Sequence, residues 1–89
     1  MKQRSKIPEL YKSAHEASTR NKDAVSKSKL CGCFHCLSIF PASDVVEWVE
    51  DDGGFTAECP KCGVDSVIPD ASGASLDTDF LTAMNKRWF

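Results

Sequence analysis

The sequence predicts a small α+β metal-stapled domain. Three observations carry this: a chain of only 89 residues, two Cys-x-x-Cys pairs, and apolar spacing that is helical at both ends and strand-like in the middle. A chain of this length is expected to form one domain, residues 1–89, burying only about 60% of the surface its unfolded form exposes. Such a core is marginal, and a bound metal is a usual remedy. With 42% apolar and 27% charged residues, the composition is that of a globular chain rather than a disordered one. No apolar run approaches the ~18 residues a membrane helix needs. The basic opening Met1 to Pro8 has no apolar stretch behind it, so a cytoplasmic location is expected.

Residues 8–29 read as an N-terminal helical hairpin. Pro8 suits the first helical position, and Ile7, Leu10 or Tyr11, Ala14, and Ala17 or Ser18 follow a 3–4 spacing. Ser18-Thr19-Arg20-Asn21 are weak helix formers and predict a break, with Ala24, Val25 and Ser28 serving a second short helix. Residues 31–69 form the metal region. After Cys31 to Cys36, Pro41-Ala42-Ser43-Asp44 predicts a turn capped by Ser43. Val45 to Val49 and Phe55 to Glu58 predict a β-hairpin with the four-residue loop Asp51-Asp52-Gly53-Gly54. Val64, Val67 and Ile68 supply a third short strand that Pro69 ends. Residues 76–89 predict a C-terminal helix, N-capped by Asp77 or Thr78 and lying over the hairpin through Phe80, Leu81, Met84 and Trp88. Trp48, Phe55, Phe80 and Trp88 are expected to form one aromatic core.

Cys33 and Cys36 make one Cys-x-x-Cys pair and Cys59 and Cys62 the other, with 22 residues between the pairs. Two residues between thiolates let a tight turn aim both sulfurs at one point, and two such turns complete a tetrahedron around Zn²⁺. The expected architecture is therefore a zinc ribbon, two knuckles joined by a β-hairpin, holding one structural zinc. Four sulfur donors leave no coordination position for a catalytic water. Rubredoxin-like iron is the rival, because Cys59-Pro60-Lys61-Cys62-Gly63 resembles a rubredoxin knuckle. Against it, Leu37 stands after the first pair where the second has Gly63. Cys31 reads as a spare or buried thiol, and His35 as an outward ring within the first knuckle.

Several runs together resemble a family of small bacterial cytoplasmic proteins with a zinc-ribbon or zinc-knuckle centre. They are Leu10 to His15, Cys31 to Cys36, Phe40 to Trp48, Thr56 to Ile68, and Phe80-Leu81 with Trp88-Phe89. The resemblance covers nearly the whole chain. It implies a bacterial or phage intracellular protein with Cys33, Cys36, Cys59 and Cys62 as zinc ligands, and it implies no established activity. Glu58 departs from the family pattern, where a small or apolar residue is more usual.

Charge is divided along the chain. Residues 1–30 carry eight Lys or Arg against three acids, a net +5, and residues 31–89 carry three against ten, a net -7. The expected function is a non-enzymatic zinc module that mediates protein–protein interaction, with a homo-oligomer left open. An alternative is nucleic-acid binding through Lys2, Arg4, Lys6, Lys12, Arg20, Lys22, Lys27 and Lys29, with Tyr11 or His15 for stacking. An HNH-like nuclease would need His15 or His35 beside hard-metal acids such as Asp44, Asp65 or Asp77.

Overall fold

The computed structural model describes residues 2–89, and the side chains of 9–50 and 52–89. The elements run α1 (Lys2–Glu16), α2 (Lys22–Ser26), β1 (Leu30–Cys33), β2 (Ile39–Pro41), β3 (Trp48–Asp51), β4 (Gly54–Ala57), β5 (Val67–Pro69) and α3 (Thr78–Trp88). Single 3-10 turns occupy Ala42–Asp44 and Asp70–Ser72. The protein is thus a small α+β fold with two antiparallel sheets, a three-stranded one ordered β2-β1-β5 and the two-stranded β3-β4. Among the described residues no helix is long and apolar enough to cross a membrane.

The helices break where the weak formers stand. Ser18 Oγ donates to the His15 carbonyl at 2.6 Å and Thr19 Oγ1 to that of Glu16 at 3.0 Å, taking up groups that end α1. The beginning of α1 differs from expectation, because Pro8 is its seventh residue and not its first. Proline's fixed φ is compatible with a helix, but at this interior position it lacks the N–H that would reach the Arg4 carbonyl. Asn21 precedes α2 without capping it. Its amide points inward, with Nδ2 donating to the carbonyls of Ala17 (3.1 Å) and Val67 (2.9 Å) while Oδ1 accepts the Ala57 N–H at 3.0 Å.

The third short strand, β5, does not extend the hairpin, and β1 is the centre of a separate sheet. It pairs Cys31 with Phe40 on one side and Gly32 with Ile68 on the other. Pro41 and Pro69 lie on the edge strands, where a missing N–H is tolerated. The Asp70 carboxylate accepts the N–H groups of Lys29 and of Leu30, the latter at 2.8 Å, and so fastens the start of β1. These bonds hold the Asp70 carboxyl below its ordinary pKa.

The hairpin is tighter than predicted. Asp51 pairs with Gly54, leaving only Asp52 and Gly53 in the turn. Both have positive φ, +52° and +82°, which is what a two-residue turn of the I′ type requires of an Asp-Gly pair. Val45 and Val46 precede the strand, and Ser43 lies inside its 3-10 turn, which has no side-chain cap.

β1 divides the core. Cys31, Cys33, Phe40, Val67 and Val25 fill one cluster with Ala57 and Cys59, and Trp48 packs against it. Phe34, Ile68, Leu81, Met84 and Ala14 fill the second, with Phe80 alongside. The single aromatic core is therefore not formed. Phe55 faces outward beneath Lys22 Nζ, 4.9 Å from its ring, and Trp88 stacks on His15 at 3.9 Å. Nor does α3 lie over the hairpin. Asp77 Oδ1 caps it by accepting the Phe80 N–H at 2.8 Å, and Leu81 then packs where Gly32 has no Cβ, against the β1 sheet.

Candidate metal centre

Two turns of the same design carry the four cysteines. In the first, the Cys33 N–H donates to the Ser38 carbonyl and the Leu37 N–H to the Cys33 carbonyl, at 2.9 and 2.8 Å. In the second, the Cys59 N–H donates to the Val64 carbonyl and the Gly63 N–H to the Cys59 carbonyl, both at 2.9 Å. Each turn also aims a backbone N–H at its first sulfur, His35 to Cys33 Sγ and Lys61 to Cys59 Sγ, both at 3.3 Å. Leu37 occupies the left-handed position that Gly63 fills in the second turn, with φ +66° against +81°. The absence of glycine after Cys36 thus changes the residue and not the turn.

β1 delivers Cys33 and the chain leaving β4 delivers Cys59, so the turns meet between the two sheets. The four Sγ atoms lie within 4.8 Å of one another. Cys33 Sγ is 3.7 Å from Cys62 Sγ, and Cys36 Sγ is 3.7 Å from Cys59 Sγ. A tetrahedron of ~2.3 Å metal–sulfur bonds has edges of about 3.8 Å, so the group has the size to hold one metal ion. All four thiols are free of disulfide bonds. Cys33 and Cys59 are buried, Cys36 is half-buried and Cys62 is exposed.

Ionisation of the thiols is uneven. Burial pushes the Cys33 thiol up, against a hydrogen bond to Ser66 Oγ at 3.1 Å. Partial desolvation among the other sulfurs, and then the neighbouring Cys33, push Cys62 up to about 12. At Cys36 burial also raises the pKa, but hydrogen bonding with the Ser38 side chain and backbone outweighs it and brings the thiol down to about 7. Four adjacent thiolates repel one another unless a cation sits among them, and a coordinated thiol is deprotonated outright. The donor set fits a thiophilic divalent ion.

The other singled-out residues lie elsewhere. Cys31 is fully buried beside Phe40 and outside the sulfur group, its thiol pushed up to about 11 by burial and then by the Asp70 charge. His35 is exposed, edge-on to Phe89 at 4.8 Å. His15 is stacked on Trp88 and lies 6.0 Å from Phe34. Asp77 caps α3, and the four cysteines are the one cluster of metal-binding side chains among the described residues, so Asp44, Asp65 and Asp77 do not assemble with a histidine. Lys12, Arg20, Lys22, Lys27 and Lys29 are exposed, while the side chains of Lys2, Arg4 and Lys6 lie outside the described residues. Sequence reasoning did not single out Asn21 or Asp70 as brackets; a lone Asn or Asp in a polar run carries no spacing signal for a contact 36 to 46 residues away.

Fold and centre together define a small α+β protein with a four-cysteine group able to bind a metal ion. Compared with known protein families, characterised proteins and solved structures, the chain matches none of them.

Proposed function

We propose that the chain is a non-enzymatic, zinc-stapled module, a zinc ribbon of the bacterial cytoplasm, that works by contacting another protein. The observation that carries it is the sulfur group itself: four thiol donors, two hydrogen-bonded turns and edges near those of a zinc–thiolate tetrahedron. Cys33, Cys36, Cys59 and Cys62 would hold the ion, which supplies a cross-link between the sheets. The chain's own groups do the rest. The N–H groups of His35, Lys61 and Cys62 and the Ser66 hydroxyl balance negative charge on the sulfurs. Val46, Leu10 and Phe89 are 71, 64 and 61% exposed and offer apolar contact to a partner.

The nucleic-acid reading is weaker, because both stacking candidates are engaged within the protein, Tyr11 with Phe80 and His15 with Trp88. The nuclease reading lacks a hard-metal cluster beside either histidine among the described residues.

Elemental analysis of freshly isolated protein is expected to find one zinc per chain in a colourless sample. A red sample with iron charge-transfer absorbance would replace zinc by iron, and Mg²⁺-dependent nicking of plasmid would restore the nuclease. Cys59→Ser is expected to lose the metal and most of the fold, whereas Cys31→Ala keeps the full metal stoichiometry.

A further inference from the structure

We propose that the four-cysteine centre is also an oxidation site, where a peroxide-class oxidant entering at the exposed Cys62 sulfur leaves two crossed disulfides, Cys33–Cys62 and Cys36–Cys59. The proposal rests on the zinc reading above for the state that is oxidised, and on geometry for the linkage. The two 3.7 Å sulfur approaches both run between turns, and together they use all four thiols once. In each pair an accessible sulfur faces a buried one. Cys62 is exposed and Cys33 fully buried; Cys36 is half-buried and Cys59 is 4% exposed. Closing either pair to a bond of about 2.0 Å requires the turns to approach by about 1.7 Å. The bonds that close each turn, from Leu37 to Cys33 and from Gly63 to Cys59, can survive that shift.

The chemistry balances without any further reagent. Cys62, deprotonated as a metal ligand, attacks one peroxide oxygen, the O–O bond breaks, and a sulfenic acid and hydroxide result. The Cys33 thiolate then attacks the Cys62 sulfur, forming S–S and expelling a second hydroxide. Two protons convert the hydroxides to water, so two thiolates supply the two electrons that reduce one peroxide. Cys36 and Cys59 repeat the sequence with a second peroxide, which would leave a bound divalent ion without sulfur donors. Cys31, fully buried and outside the group, takes no part. Thiol–disulfide exchange lets pairings equilibrate. The crossed pairing is favoured because it preserves the link between the sheets that the ion provided, whereas bonds inside each turn abolish it.

The test uses the full chain, its zinc content first established by elemental analysis. About two equivalents of hydrogen peroxide are added, released zinc is read with a chromogenic chelator, and residual thiols are alkylated. Non-reducing digestion at Phe34, Trp48 and Lys61 then places Cys33, Cys36, Cys59 and Cys62 on separate peptides. The expected result is about one zinc released per two peroxides. The Cys33 peptide is joined to that of Cys62 and the Cys36 peptide to that of Cys59, and the near-UV spectrum of the fold persists. Linkages Cys33–Cys36 and Cys59–Cys62, sulfinic acids without cross-links, or four surviving thiols would each overturn the proposal. A preparation that never contained zinc would overturn the reading it rests on, and the linkage map of that same sample would still decide the pairing.

Discussion

Leu37 and Gly63 hold equivalent left-handed positions for different reasons. A Cβ on Gly63 would meet nothing within 4 Å, so only the backbone resists it. Gly63→Ala is therefore expected to destabilise the metal-loaded protein by about 1–2 kcal/mol, the cost of a left-handed L-residue. Leu37 already bears that cost and offsets it by packing, half-buried, against the cluster of Phe34, Ile68 and Leu81. Leu37→Gly relieves the strain but loses the packing and adds unfolded-state entropy, so a net change within about 1 kcal/mol is expected. Guanidinium midpoints at fixed free zinc measure both. A large loss for Leu37→Gly with none for Gly63→Ala would show that the turns are not equivalent.

At the scale of elements, the brackets between segments matter more than the segments. Asn21 joins the end of α1 to β5 and β4 by three hydrogen bonds, and Asn21→Ala leaves the Ala57 N–H and the Val67 carbonyl buried without that partner. A loss of about 2–3 kcal/mol is expected, together with faster exchange of the Ala57 amide. Gly32 sets the approach of α3, since a Cβ there would lie 3.1 Å from Leu81 Cδ1 and 3.4 Å from Leu76 Cδ2. Gly32→Val should push α3 away and cost about 1–3 kcal/mol. Asn85, which donates to the carbonyls of Phe34 and His35, should transmit that displacement to the first knuckle. An unchanged unfolding midpoint would contradict the contact.

These brackets also explain what the sequence made legible. The break near Ser18 to Asn21, the α3 cap, the short strand that ends at Pro69 and the two paired-cysteine turns rest on local chemistry, and local chemistry can be read from spacing. The separate β2-β1-β5 sheet could not be read this way. β1 is four residues with Gly32 at its centre, its last residue, Cys33, also opens the first knuckle, and its pairing with β5 is a contact between residues more than thirty apart. The misplaced aromatic core has the same origin. Which face Trp88 or Phe55 presents depends on His15 and Lys22, partners that no periodicity in their own segments announces.

At the scale of the molecule, the decisive fact is that among the described residues the two sheets share no strand pairing. Between them run the Asn21 bonds, one small cluster of buried side chains, and the four sulfurs. A chain of 89 residues has a net stability of about 4–13 kcal/mol, no more than the roughly 10–16 kcal/mol apparent for binding of a structural zinc. Chelation is therefore expected to abolish the near-UV signal of Trp48 and the amide protection of both sheets in one cooperative step, with full recovery on adding zinc. Acidification should act in the same direction, because protons compete with the ion for the thiolates. If protection in β1 and β5 outlives that in β3 and β4, the ion serves to recruit the hairpin to a sheet that folds alone. Simultaneous loss, which the shared burial of Cys33 and Cys59 with Val67 and Ala57 favours, makes the metal a condition for the entire fold.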